Sequence, residues 1–130
     1  MKEETKKWLK FAGENLESAK ILLESHLYNP ALHNVQQSVE KALKSLFIEN
    51  GIPLRKTHSI HELKIILLNN GFTVDLTDDE CELLDSIYLP TKYPLGSALP
   101  DFNPDEKITL LCIDIAERVY EKVDDLLSGN

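Results

Sequence analysis

The sequence of 130 residues predicts an all-α fold, an antiparallel helical bundle of about five helices in which four long helices form the core. Apolar residues recur every three or four positions in separate segments, which is the spacing of one helix face. Capping residues and Gly- or Pro-containing turns divide these segments, and no segment carries a convincing strand pattern. Because short turns join amphipathic neighbours, we expect an antiparallel bundle and a single domain over residues 1–130.

The first helix is predicted from about residue 3 to residue 26. Its apolar positions form one stripe, so we expect the single tryptophan, Trp8, to lie in the core. His26 falls at the C-terminal end, where a cationic side chain complements the negative end of the helix dipole. The stripe consists of Trp8, Ala12, Leu16, Ala19, Leu23 and Leu27.

The second helix is expected to begin at Asn29 and Pro30, an N-cap followed by proline at the first helical position. It continues to Asn50, and Gly51 then provides a left-handed C-terminal residue. Small residues on one flank allow another helix to approach closely. They are Ala31, Ser38, Ala42 and Ser45.

This second helix has two chemically distinct sides. At about 100° per residue, its apolar residues gather on one broad face. The apolar face consists of Leu32, Val35, Val39, Leu43, Leu46 and Phe47. The opposite side carries a polar stripe of His33, Gln37, Lys41 and Lys44.

Two further helices are predicted from paired capping signals. Ser59 with Glu62 forms a capping box for a short third helix that ends near residues 70–71. Thr77 with Glu80 forms another for the fourth helix, which Pro90 is expected to end because proline disfavours helical geometry in the preceding residue.

A proline-containing segment, residues 89–103, separates the fourth helix from the last. Its length is compatible with a functional loop or with a stiff crossing over a core edge. Residues 103–105 then cap the last helix, whose apolar stripe, like the apolar face of the second helix, is wide enough to favour a homodimer packed through one of these two helices. That stripe contains Ile108, Leu111, Cys112, Ile115, Val119, Val123 and Leu126.

The charge of the chain is acidic and unevenly divided. A net charge of −8 argues against unaided, nonspecific binding of nucleic acid, because phosphate contacts need Lys and Arg. Residues 1–64 nevertheless contain 10 Lys and Arg against 8 Asp and Glu, whereas residues 65–130 contain 4 against 14. Such asymmetry either steers an anionic ligand to the first half or reflects solvated acidic faces on the last helices.

Targeting and redox signals are few. No apolar run approaches the length of about 20 residues that crosses a bilayer, and the first ten residues do not resemble a signal peptide. Cys81 and Cys112 offer no disulfide framework. We therefore expect a cytoplasmic protein that does not contact a membrane.

Three segments, in order, resemble the HEPN family of small helical proteins. A Gln-Gln-x-x-Glu-Lys-Ala-Leu-Lys helix, a Thr-His pair and a Tyr-x-x-x-Arg-Tyr-Pro segment form the family's usual pattern. The matching residues are Gln36, Gln37, Glu40, Lys41, Ala42, Leu43, Lys44, Thr57, His58, Tyr88, Lys92, Tyr93 and Pro94, with Lys92 where the pattern has Arg. The resemblance spans nearly the whole chain and implies a HEPN-like helical bundle.

In family members that are ribonucleases, the resemblance implies an Arg, four to six residues and a His, acting without metal. This pair is missing at its expected place before the last helix, where Lys92 stands and no His follows at that spacing. The only formal match, Arg55 with His61, lies between the second and third helices. The sequence therefore favours a protein without catalytic residues, metal or cofactor.

The remaining candidate site suits a phosphate or a nucleotide. Lysines on the second helix and in the segment after the fourth would provide cations, and a tyrosine would offer a ring to a base or simply pack. His58 is expected either to take part or to hold the fold together by hydrogen bonds. The candidate ligand-binding residues are Gln37, Lys41, Lys44, His58, Lys92 and Tyr93.

Two functions follow from the resemblance and the candidate site. The first is a noncatalytic dimeric HEPN protein in a toxin–antitoxin-like system that binds a nucleotide, RNA or another anionic ligand, a minimal nucleotidyltransferase partner, or both. The alternative is a metal-independent ribonuclease toxin with a degenerate site, in which His58 or His61 acts with Arg55 or Lys92.

Overall fold

Five helices follow one another along the chain in the computed structural model, which describes the backbone of residues 1–92 and 103–129 and the side chains of 1–87 and 103–129. The helices are α1 (Glu3–Glu24), α2 (Tyr28–Glu49), α3 (Ile60–Asn69), α4 (Asp78–Lys92) and α5 (Glu106–Leu127). These described ranges contain no strand. The prediction of an all-α bundle with four long helices is confirmed. No helix within the described ranges is long and apolar enough to cross a membrane.

Helix α2 lies at the centre and packs against each of the other four helices. Its apolar face is buried as predicted, so α2 supplies much of the core. The largest fully buried side chains of the molecule include Leu32, Val35, Leu43, Leu46 and Phe47 from α2, with Ile60, Leu63, Leu67, Leu84, Ile87 and Ile115 from the others.

Helices α1 and α2 are antiparallel and closely packed. Thr5 Oγ1, near the start of α1, donates to Glu49 Oε1 at the end of α2 over 2.9 Å. Further along, Ser38 Oγ donates to the carbonyl oxygen of Ala12 over 2.8 Å. The small flank of α2 therefore allows the close approach that the sequence predicted, since a side chain of α2 reaches the backbone of α1.

The start of α2 differs from the prediction. The helix begins at Tyr28, and its N-cap is Leu27, which makes no side-chain capping hydrogen bond. The Ala31 amide donates the first intrahelical hydrogen bond to the carbonyl oxygen of Leu27. The actual N-cap, Leu27, therefore lies two residues before the predicted N-cap, Asn29. Pro30 is tolerated at the third helical position because its missing N–H is among the four that have no intrahelical acceptor.

The connection between α1 and α2 also places His26 differently. Helix α1 ends at Glu24, and His26 has a positive φ of 58°. Its Nδ1 lies 3.0 Å from the hydroxyl of Tyr28, so the ring contacts the next helix rather than the last turn of α1. At the end of α2, Gly51 has the predicted left-handed conformation, with φ 64°.

Two N-termini are capped by different means. Thr77 and Glu80 form the complete capping box predicted for α4, with amide-to-side-chain bonds of 3.0 and 3.1 Å. At α3, Ser59 Oγ accepts from the Glu62 amide over 3.1 Å, which is only half of the predicted box. The Ser59 amide, which the other half of the box would bind, instead donates to Thr57 Oγ1 over 3.1 Å. The carboxylate of Asp85 from α4 accepts from the next two amides, those of Ile60 and His61, at 2.6 and 3.2 Å.

Pro90 does not end α4, which continues to Lys92. Proline disfavours a helical conformation in the preceding residue without forbidding it, and only the amide at position 90 drops out of the hydrogen-bond ladder. The predicted segment 89–103 therefore begins inside a helix, and residues 93–102 lie outside the described residues.

Three residues predicted on buried stripes are more exposed than expected. Leu111 is 50% exposed and Leu27 is 50% exposed, while Trp8 is half-buried. The buried face of α5 is centred on Cys112, Ala116 and Val119, and Leu111 is turned about 100° from Cys112. Leu27 lies beyond the end of α1, and Trp8 lies at the edge of the α1 stripe rather than at its centre.

Candidate functional site

The polar stripe of α2, with the polar residues beside it, divides into two parts with different environments. Towards residues 51–59 lies a mostly buried group, the Glu40 cluster, which consists of Gln36, Glu40, Lys44 and His58. Towards α1 lies Lys41, and Gln37 lies between Lys41 and the Glu40 cluster; both are partly exposed. The spacing of three and four residues along one helix places the two parts side by side.

Glu40 is the centre of the Glu40 cluster. Lys44 Nζ donates to Glu40 Oε2 over 2.9 Å, and Gln36 Nε2 donates to Glu40 Oε1 over 3.2 Å. His58 Nδ1 lies 3.1 Å from the same Oε1, and Gln36 Nε2 also donates to the carbonyl oxygen of His58 over 3.1 Å. The cluster thus ties the connection before α3 to the middle of α2.

Burial and charge act in opposite directions on Glu40. Burial is the largest single influence and raises the pKa of its carboxyl group. The hydrogen bond and positive charge of Lys44, with the hydrogen bonds from His58 and Gln36, together outweigh burial and leave the pKa of Glu40 below its ordinary value. Glu40 is therefore ionised near neutral pH and compensates the buried ammonium of Lys44.

Two predicted ligand-binding residues belong to this cluster. The side chain of Lys44 is 10% exposed and pairs with Glu40, so its charge is compensated inside the fold. His58 keeps about half of its side chain exposed, at 52%, while its ring contacts Glu40. These contacts agree with the expectation that His58 supports the fold through hydrogen bonds.

Lys41 lies at the α1 edge of the stripe, and Gln37 lies between it and the Glu40 cluster. Lys41 Nζ donates to Asn15 Oδ1 of α1 over 2.9 Å, and Gln37 Nε2 donates to Gln36 Oε1 over 2.8 Å. Among the side chains that the structure describes, no carboxylate lies at ion-pair distance from Lys41. Its positive charge is therefore not compensated in the way that the charge of Lys44 is.

A groove of about 450 Å³ opens beside Lys41, between α1 and α2. It is lined by Glu4, Lys7, Trp8, Phe11 and Lys41. The sequence placed Trp8 in the core and did not single out Phe11. The angular positions of these residues around the axis of α1 could have indicated them. Phe11 is rotated by about 100° from the buried Ala12 and so falls on the side of α1 that faces Lys41.

The last two predicted ligand-binding residues lie at the boundary of the described structure. Lys92 is the final residue of α4, and its side chain is outside the described residues. Tyr93 lies entirely outside them, as does most of the segment 89–103, which the sequence left open as a functional loop or a stiff crossing. Their contribution to the site stays a prediction.

The formal Arg–His match has an unfavourable environment for RNA. Arg55 is exposed in the connection between α2 and α3. His61 lines a pocket of about 300 Å³ with Ser59, Asp78, Glu82 and Asp85, and its Nε2 is 3.7 Å from Asp78 Oδ1. Three carboxylates around one imidazole would repel a phosphodiester.

The other candidates for chemistry are engaged in the fold. Arg118 of α5 binds Glu80 Oε1 over 2.6 Å and the carbonyl oxygen of Asp75 over 3.2 Å. Burial raises the pKa of the thiols of Cys81 and Cys112 to about 11 and about 12. Within the described residues, no cluster of His, Cys, Asp and Glu has the geometry to hold a metal ion.

Comparison with known proteins identifies the family. The family model described as "HEPN domain" matches residues 5–126. The chain belongs to the HEPN domain family. The resemblance carried by residues 36–44, 57–58 and 88–94 is thereby confirmed at the level of the family.

Relatives of this HEPN domain span nearly the same length. A protein of Methanocaldococcus jannaschii named "Putative toxin MJ1304" is 30% identical over 94% of this chain and 87% of its own. The crystal structure of TT1696 from Thermus thermophilus has a TM-score of 0.76 at 28% identity, covering 95% of this chain and 98% of that one. ST0689, an archaeal HEPN homologue, has a TM-score of 0.70 at 29% identity, covering 97% and 98%.

Proposed function

We propose that this HEPN protein is noncatalytic, binds a nucleotide or a related anionic ligand at the α1 edge of the α2 stripe, and acts in a toxin–antitoxin-like system in the cytoplasm. The observation that carries the proposal is the contrast between two lysines one turn apart. Lys44 is neutralised by Glu40, whereas Lys41 is held by neutral Asn15 and keeps its charge for a ligand.

The biological setting is supported by family membership and by one relative. A relative at 30% identity carries the name "Putative toxin MJ1304". A toxin–antitoxin-like system would require a second protein that counteracts the toxin. By resemblance, that partner is a minimal nucleotidyltransferase, and its gene would be encoded nearby. Co-expression of the two proteins from neighbouring genes, followed by size-exclusion chromatography, should yield a complex that neither protein forms alone.

The noncatalytic part of the proposal rests on the surroundings of His61, the histidine of the formal Arg–His match. His61 lies among Asp78, Glu82 and Asp85, which disfavour the approach of a phosphodiester. Removal of one charged group that stabilises a transition state commonly costs about two to three orders of magnitude in rate. A site without the Arg of the family's ribonucleases and with an acidic wall should not cleave RNA at a measurable rate.

Calorimetric titration of a nucleotide tests the binding part directly. We expect the wild type to bind weakly, and binding to weaken with salt, because exposed charge contacts are screened. The double variant Lys41→Ala/Lys92→Ala should bind about tenfold less tightly, since each exposed contact contributes up to about 1 kcal/mol. Lys56→Ala/Lys107→Ala removes the same charge from exposed positions elsewhere and should bind like the wild type. Equal binding by both double variants would contradict the proposal.

A second candidate function is metal-independent RNA cleavage, which one contact favours. Glu40 lies 3.1 Å from Nδ1 of His58, and a carboxylate in this position can orient an imidazole for proton transfer. Incubation of unstructured RNA with the purified protein and a chelator separates the two functions. We expect intact RNA. Cleavage that is lost in both His58→Ala and His61→Ala would establish the ribonuclease instead.

A further inference from the structure

We propose that Trp8 and Phe11 of α1 form a stacking platform for a nucleobase, so that the ligand is a nucleoside phosphate whose phosphate lies between Lys7 and Lys41. This inference rests on the proposed binding function and specifies its ligand. It moves the aromatic part of the site from the segment after α4, where the sequence placed it at Tyr93, to the first helix.

The position of the two rings is the first argument. Trp8 is half-buried and Phe11 is 45% exposed, and both line the groove of about 450 Å³ beside Lys41. The buried face of α1 consists of other residues, among them Leu9, Ala12 and Leu16. The exposed face of Phe11 therefore contributes little to the core, and a planar ligand would cover it.

The charges around the groove are the second argument. Lys7 and Lys41 face one carboxylate, Glu4, so the lining is net positive in a protein whose net charge is −8. Within the described side chains, neither lysine is at ion-pair distance from a carboxylate. A ligand with a phosphate group complements this charge, whereas an acidic pocket such as that of His61 would repel it.

The combination of rings and lysines selects the class of ligand. Stacking of a base on an aromatic side chain contributes about 1–3 kcal/mol, and a lysine supplies a point charge to phosphate. The groove lies within the range of about 300–1,000 Å³ that is typical of small-molecule sites. Glu4 can only accept hydrogen bonds when ionised, so it complements the exocyclic amino group of a base such as cytosine.

A second groove, between α1 and α5, shows that the combination of aromatic rings and net positive charge is not a general property of the surface. That second groove has about 770 Å³ and is lined by an aromatic ring, Tyr120, but also by Glu14 and Glu17. The Tyr120 side chain packs against α1, with its hydroxyl 3.2 Å from the position that a β-carbon on Gly13 would occupy. Its ring is thus used in helix packing.

Trp8 provides a direct optical test, because it is the only tryptophan of the chain. Cytidine 5′-monophosphate is titrated into the wild type, with ribose 5-phosphate as the matched ligand that lacks a base. We expect quenching of the Trp8 fluorescence by the nucleotide and at least a roughly fivefold weaker binding of the sugar phosphate, measured by calorimetry, since stacking is lost.

Substitutions on α1 test the platform with controls on the same helix. Phe11→Ala should weaken nucleotide binding by about tenfold and leave the binding of ribose 5-phosphate unchanged, and Phe11→Tyr should restore the wild-type value. Ile21→Ala removes an apolar side chain that is 62% exposed on the other groove and should change neither. Circular dichroism checks that each variant remains helical.

The outcomes separate this inference from the proposed function. Nucleotide binding that depends on Lys41 but is insensitive to Phe11→Ala and does not quench Trp8 would overturn the platform and leave the proposed function standing. Equal affinity for the nucleotide and the sugar phosphate would do the same. Absence of binding by the wild type to either ligand would overturn both.

Discussion

At the scale of single residues, two lysines on α2 differ in their environment although they are three positions apart. The Lys44 side chain is 10% exposed and pairs with Glu40, whose side chain is 7% exposed. Lys41 is partly exposed and donates to a neutral amide. A family pattern that places both lysines on one stripe thus combines a structural residue with a candidate binding residue.

Replacement of Lys44 by methionine should destabilise the protein strongly. The variant keeps the aliphatic volume but leaves the buried Glu40 carboxylate without its cation, which costs about 3 kcal/mol when one partner of a buried pair is removed. Chemical denaturation measures the loss in free energy of unfolding. Lys41→Met is the matched control and should lose less than about 1 kcal/mol, because its side chain is partly exposed and its partner is neutral. Equal losses in the two variants would contradict the assignment.

The ionisation of Glu40 should appear in the pH dependence of stability. Its pKa is lowered by folding, so its contribution is fully present above the unfolded value of 4.5 and is lost as pH falls through the lower, folded value. The stability difference between the wild type and Glu40→Gln should therefore be largest near neutral pH and should shrink below pH 4.5. Denaturation series at several pH values measure it. Glu121→Gln, at an exposed position, is the control, and its free energy of unfolding should follow that of the wild type at every pH. A stability difference between the wild type and Glu40→Gln that does not change with pH would contradict the assigned role of Glu40.

At the scale of elements, the N-terminus of α3 is held by a residue of α4. Asp85 accepts hydrogen bonds from the amides of Ile60 and His61 and from the Ser59 hydroxyl, over 2.6, 3.2 and 3.0 Å. These amides belong to the donors that have no intrahelical acceptor. Asp85 therefore acts as a cap and as a link between the two helices.

Loss of this cap should loosen α3. Asp85→Ala should lower the free energy of unfolding by about 2 kcal/mol, the upper part of the range for N-cap substitutions, because several donors lose their acceptor together. Amide hydrogen exchange should accelerate first over residues 60–64. Asp79→Ala, an exposed carboxylate in the first turn of α4, is the control and should leave exchange in α3 unchanged.

The elements also show what could be read from the sequence. The Thr77–Glu80 box was predictable because both partners lie within four residues, and the structure contains both hydrogen bonds. The Asp85 cap was not predictable, since its acceptor comes from a different helix, 24 to 26 residues away. The stripe of α2 was likewise predictable, because the periodicity of one helix defines it. The groove beside Lys41 was not, because it depends on how α1 packs against α2.

At the scale of the whole molecule, the structure restricts the surfaces that could form the interface of the predicted homodimer. The apolar face of α2 is covered by other helices of its own chain, so it offers no surface to a second copy. On α5, Leu110 and Leu111 are 44% and 50% exposed. The prediction of an interface on the second or the last helix is therefore narrowed to the last.

Sedimentation at micromolar concentration tests this dimer. The wild type should sediment at about twice 14.8 kDa, and Leu111→Glu should shift the protein towards the monomer because a charge would be placed in an apolar interface. Ile21→Glu introduces the same charge at a position that is 62% exposed on α1 and should leave the dimer intact. A wild type that sediments as a 14.8 kDa monomer would exclude the dimer under these conditions.

The central claim is that the α2 stripe divides into a part that holds the fold and a part that binds the ligand. The most direct measurement is the affinity of Lys41→Met and Lys44→Met for cytidine 5′-monophosphate at a temperature where both variants are folded. We predict that Lys41→Met loses up to about fivefold in affinity, whereas Lys44→Met, although less stable, binds like the wild type. Wild-type affinity in Lys41→Met, or an equal loss in both variants, would contradict the claim.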